Sequence, residues 1–129
     1  MSAAQPVREP LRVRRASGDD ALVVGALRLQ AARAAGAPAE PGFLDRFARV
    51  WDAQAHPTWV AEHAGRHAGV LIARVVADLP WPGVVAAARL ETVTLFVAAD
   101  AAPYDAEVRA ALTAALRGWA REVGHTVAA

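Results

Sequence analysis

The chain has 129 residues, enough for one domain with a real core but not for two. Fourteen basic side chains, all arginine, stand against 13 acidic ones for a net charge of +1, which excludes the strongly basic field of a nucleic-acid binder. Cysteine is absent, so disulfides, a thiol nucleophile and thiolate metal ligation are excluded as well.

Residues 1–10 read as a polar, flexible leader without the apolar run of a signal peptide. Apolar stretches elsewhere are interrupted by Arg or Asp before membrane-spanning length, so a cytoplasmic protein with no membrane association is expected. The absence of lysine and asparagine points to a GC-rich bacterial genome. Leu11-Arg12-Val13-Arg14 alternates as a strand with one wet face. Ser17-Gly18-Asp19-Asp20 resembles a capping box and starts a helix, with Leu22, Ala26, Leu29 and Ala32 on one stripe. That helix ends near Gly36. Pro41 opens a second helix, with Phe43, Leu44, Phe47, Val50 and Trp51 at helical spacing, and His56-Pro57 closes it.

From Thr58 the period changes to two. Thr58–His63 and His67–Ala77 read as strands around the turn Ala64-Gly65-Arg66. The prolines and glycine of Asp78–Gly83 demand a loop, and Val84–Val97 is the strongest strand signal of the chain. After a loop over Ala98–Tyr104, Asp105 begins the last helix, with a stripe of Val108, Ala111, Leu112, Ala115, Leu116, Trp119 and Val123. Gly124 stops it, leaving room for a short terminal strand. The expected class is α/β (α+β): a mixed sheet with an antiparallel meander, in the order β-α-α-β-β-β-α, forming a single domain over 11–129.

Four segments in that order resemble the GNAT superfamily of acyl-CoA N-acyltransferases. Val13–Asp20 is similar to its first strand and helix start. Trp59-Val60-Ala61-Glu62 with Gly69-Val70-Leu71 is similar to its second and third strands. Leu90–Val97 resembles its fourth strand, and Leu116–Gly124 the end of its third helix. The resemblance implies acetyl-CoA as co-substrate, a small amine as acceptor, and pantetheine contacts from Leu95, Phe96 and Val97. It also implies a pyrophosphate turn around Tyr104 and Arg109. Where the family carries glycines in that turn, this sequence has Asp105 and Glu107, which favour the helix dipole but repel phosphate. It also lacks the family's strand-helix-strand beyond the third helix. Two further readings therefore stand beside the enzyme: a non-catalytic GNAT-like binding or dimerisation module, and a half-site subunit completed by another chain. Either would use the open sheet edge for a homodimer or a hetero-partner.

Glu91 is the candidate catalytic residue. The resemblance implies a general base there, whose pKa would rise in an apolar strand. The alternative is an ion-pair partner for Arg89 or Arg74. Trp81, held between prolines, is the candidate for an exposed substrate or partner surface. His63 and His67 flank a turn without further ligands, and no metal site is expected.

Overall fold

The computed structural model describes residues 10–83 and 88–128. The leader over residues 1–9 and the start of the predicted third meander strand, 84–87, lie outside the described residues. The elements are β1 (Arg12–Arg15), α1 (Ala21–Ala34), α2 (Phe43–Val50), β2 (Thr58–His63), β3 (Arg66–Val76), β4 (Arg89–Val97), α3 (Asp105–Val123) and β5 (Thr126–Val127). Short 3-10 turns, Gly18–Asp20 and Ala99–Tyr104, lead into α1 and α3. The strands lie in chain order in one sheet, antiparallel from β1 to β4 and parallel between β4 and β5. This is the expected mixed α/β class, with the helices on two faces.

On one face α3 lays Val108, Leu112, Leu116 and Ala120 over Trp59, Leu71, Ala73 and Leu90. These four helical positions recur every four residues, so one stripe meets the sheet. Trp119 borders it, edge-on to Trp59 at 5.8 Å, with the Arg15 guanidinium 4.6 Å from its ring centre. The predicted stripe overruns at Val123, which is 44% exposed. Gly69 lets the layers close. A Cβ there would stand 2.7 Å from the Phe96 carbonyl oxygen and 2.9 Å from Val108 Cγ1.

On the other face α1 and α2 cover Val60, Val70 and Ile72 through Val24, Leu27 and Trp51. Here the expected stripe needs correction. Leu22 is exposed, and the buried residues of α1 are Val24, Gly25 and Leu27. In so alanine-rich a helix several faces are apolar enough, and α2 decides among them: Gly25 receives the side chains of Phe47 and Leu44. The start of α1 is tied to the sheet by charge. Asp20 accepts from the Ser17 backbone N–H at 2.8 Å and from both terminal nitrogens of Arg14, at 2.8 and 2.9 Å. Arg14 also reaches Glu62, and these bonds hold the Asp20 pKa down to about 2.

One irregularity in β4 sets up the site. Ile72 faces Thr94 while Ala73 faces Thr92, so Val93 is an extra residue with no partner on β3. The bulge re-phases the strand. Glu91, opposite Arg74, shares the α1–α2 face with Thr94 and Phe96, whereas Leu95 and Val97 turn toward α3. In a regular strand Glu91 and Thr94, three positions apart, would fall on opposite faces.

Candidate active site

β4 has a second distinctive property, at its outer edge. β5 pairs with it only at Arg89 and Leu90, through Thr126 and Val127. Beyond Leu90 no strand among the described residues covers that edge. Its backbone donors and acceptors around the bulge are therefore available to an extended ligand, the arrangement strand addition exploits.

Beside this edge α1, α2 and the bulge line a half-open pocket of about 230 Å³, with Arg28, Phe43, Phe47, Trp51, His56 and Val93 among its walls. A shallower groove of about 420 Å³ continues along β4, sharing Arg28, Phe43 and Val93 and adding Thr94 and Leu95. The aromatic wall follows from spacing: Phe43, Phe47 and Trp51 are four apart on α2 and its cap. Their rings stand 6.0 and 6.3 Å apart, the second pair stacked. Trp51 is fixed by a bond from its Nε1–H to Thr58 Oγ1 at 3.1 Å, and that hydroxyl donates to the His56 carbonyl at 2.7 Å. His56 thereby has a set backbone position. Its Nδ1 is buried without a hydrogen-bond partner among the described residues.

Glu91 sits on the cavity face of β4 but is held from the side. Its carboxylate accepts from Arg74 and, at 3.1 Å, from Arg89. The expected raised pKa is corrected here: the two guanidinium groups, Arg74 first, lower it below the usual carboxylate range. The ion-pair alternative is the one the geometry realises, because cross-strand pairing places Arg74 directly opposite.

At the far end of β4 the expected coenzyme residues are near one another in chain but not in role. Val97 is buried, Leu95 packs toward α3 and Phe96 toward α1. Tyr104 is the residue before the first turn of α3, its ring 4.9 Å from that of His63. Asp105 is the first helical residue, as expected, and its carboxylate takes the Arg109 Nε–H at 2.7 Å. Arg109 thus enters α3 already neutralised. In the preceding turn the Ala101 amide bonds Ala98 O and the Asp105 amide bonds Ala102 O, so part of the available N–H set is spent internally. Trp81 is 74% exposed in its proline-flanked loop, remote in kind from the cavity, whose lining does not include it.

Sequence reading missed Arg28, Phe43, Phe47, His56 and Val93 as site residues. Phe43 and Phe47 look like an ordinary core stripe, and His56 like a helix stop before proline. Only the bulge at Val93, invisible in a run of β-formers, gathers them. Among the described residues no cluster of His, Asp and Glu has the geometry to hold a metal ion, and no helix is long and apolar enough to cross a membrane.

No protein-family model matches the sequence, and no curated protein matches it significantly. Solved structures do. A predicted acetyltransferase from Clostridium acetobutylicum, solved with acetyl-CoA, superposes with a TM-score of 0.75 at 11% identity, over 92% of this chain and 79% of its own. A ribosomal-protein-alanine N-acetyltransferase from Brucella melitensis gives 0.68 at 20% identity, over 93% and 80%. An aminoglycoside acetyltransferase from an uncultured soil metagenomic sample gives 0.73 at 14% identity, over 92% and 77%. At such identities the likeness concerns the backbone, and on that ground the chain has the GNAT N-acyltransferase fold.

Proposed function

We propose that the protein is an acyl-CoA-dependent N-acetyltransferase of a small amine, acting in the cytoplasm. The observation that carries this reading is the edge of β4 past Leu90, unpaired among the described residues, broken by the Val93 bulge and opening on a half-open pocket. An extended pantetheine arm would pair with the backbone of that edge, and the amine would approach from the cavity. Two solved proteins of this fold are described as complexes with acetyl-CoA or CoA, which supports the same ligand here. The phosphate end fits less well, since Asp105 and Glu107 occupy the first turn of α3.

In the reaction the amine nitrogen attacks the thioester carbonyl, a C–N bond forms, the C–S bond breaks, and the nitrogen gives up a proton. His56 is the side chain we assign to that proton. His56 lines the pocket, an imidazole can both accept and donate a proton, and with Nδ1 buried the exchange falls to Nε2. Glu91, with its lowered pKa, is a weaker base and does not line that cavity. Its role is to hold Arg74 and Arg89 beside the bulge.

Calorimetry with acetyl-CoA tests the binding, and release of free thiol on adding amines tests the chemistry. The chain has no cysteine, so every thiol detected is product. His56→Gln should lower kcat about 100-fold or more with coenzyme affinity kept, and Glu91→Gln far less. The reverse ranking would return the base to Glu91. Absence of coenzyme binding would remove the enzymatic reading. A second copy or another protein seated on the free β4 edge would compete with the coenzyme, so any dimer should loosen when acetyl-CoA is added.

A further inference from the structure

Arg28 stands out among the arginines. Of those that are partly buried, Arg14 is paired with Asp20 and Glu62, and Arg89 with Glu91. Of these three, Arg28 has no carboxylate partner among the described residues, where its side chain bonds the Thr94 hydroxyl, next to the bulge. A half-buried cation normally recruits a counter-charge, because removal from water is costly unless it is paired. Here Arg28 lies where the half-open pocket meets the groove along β4 and lines both.

The rest of the lining has the same bias. The second cation, Arg46, is already occupied by Glu40 through two bonds of 2.7 Å. No aspartate or glutamate lines either the cavity or the groove. The remaining walls of the pocket are Phe43, Phe47 and Trp51 with Val50, His56, Ile72 and Val93. In size, about 230 Å³ exceeds the roughly 150 Å³ apolar cavity that holds one benzene and falls below the range of drug-sized sites. One ring with a short side arm fills it.

We infer that the acceptor is a small aromatic or bulky apolar amine that also carries a carboxylate, of the aromatic amino acid class, with its carboxylate on Arg28 and its ring against Phe47 and Trp51. A polycationic amine is disfavoured on both counts, since it would meet an unneutralised guanidinium and no carboxylate. Several proteins of this fold are described as aminoglycoside acetyltransferases, which makes an aminoglycoside the contrasting probe. The inference deepens the proposed acyl transfer and rests on that reading for the word acceptor. The occupancy of the cavity does not.

The test uses four probes on the full chain: phenylalanine, phenethylamine, 3-phenylpropionate and sisomicin. The readout is the Trp51 indole N–H resonance, assigned by its loss in Trp51→Phe. Phenylalanine and 3-phenylpropionate should shift it saturably, phenethylamine should bind about ten-fold more weakly, and sisomicin should leave it unmoved. Arg28→Gln should bring phenylalanine down to the level of phenethylamine. A thermal melt of that variant shows whether the fold is intact, and Arg28→Lys, which keeps the charge, should retain part of the preference. Equal binding of phenylalanine and phenethylamine, a preference that survives Arg28→Gln, preferential shifts by sisomicin, or no shift by any probe would each overturn the inference. Thiol release is scored separately. Turnover without carboxylate preference would sink the inference and leave the enzyme. Carboxylate-dependent binding without coenzyme binding would do the opposite.

Discussion

The two faces of the sheet are built by the same rule to different ends. Under α3 the residues from Val108 to Ala120 meet the sheet so closely that Gly69 admits no Cβ. Under α1 and α2 the packing stops short. A cavity remains beside the β4 bulge, walled by aromatics and holding a cation without a counter-charge. The closed face supplies stability, and the rigidity it gives β4 is what holds a bulge in place on the open face. Two glycines mark the difference. A Cβ on Gly69 would meet a backbone carbonyl at 2.7 Å, which cannot yield, whereas a Cβ on Gly25 would meet the Phe47 ring at 2.9 Å, which can swing toward the cavity.

The sharpest way to break that comparison is to replace both glycines. Gly69→Ala should cost about 2–3 kcal/mol, as overpacking of an unyielding site does, and lower the melting temperature by about 10 °C. Gly25→Ala should stay within about 1 kcal/mol of the parent, because gained helix propensity offsets the ring's displacement. It should nevertheless weaken aromatic ligands, since the ring moves into their space. Equal losses from the two substitutions would mean that the open face is packed as tightly as the closed one.

Acid should act at the edge of the open face before it reaches the closed one. The Asp20 carboxyl falls from its ordinary 3.8 to about 2 in the folded chain, chiefly through Arg14. A depressed pKa stabilises the fold above the unfolded value, and that contribution is lost as pH drops from about 4 toward about 2. Melting temperature in the parent should fall steeply across this window. Asp20→Asn should begin lower and fall less, and a parallel fall in both would assign the acid sensitivity to other carboxylates.

The closed face was the more legible in sequence. The α3 stripe, the Ala64–Gly65 turn and the meander follow from period and turn chemistry, and Ala64 and Gly65 do take the positive φ that a two-residue hairpin requires. Alanine blurs the period of α1, so its buried face was set by α2 instead. The bulge was not legible at all: Thr92-Val93-Thr94 has nothing to mark one residue as extra, and register is decided by pairing with β3. With the bulge unseen, Glu91 stood out as the lone acid in a strand. Arg74, seventeen positions away in sequence yet directly opposite in the sheet, holds that acid in a salt bridge.

The smallest expected effect concerns the far end of β4, where the fit to coenzyme is weakest. Asp105 has two consequences for a phosphate at the start of α3: it presents negative charge, and it occupies Arg109. Asp105→Asn removes the first and loosens the second while keeping the side-chain shape. Exposed charge is screened over about 8 Å at physiological salt, so the gain in acetyl-CoA affinity should be only about three-fold to ten-fold. Low ionic strength should enlarge it. Arg109→Gln added to Asp105→Asn should cancel most of it, because the freed guanidinium is what would meet the phosphate. If the affinity of the single variant is unchanged at every salt concentration, the coenzyme phosphates lie away from this turn. Coenzyme recognition would then rest on the free edge of β4 beside the bulge.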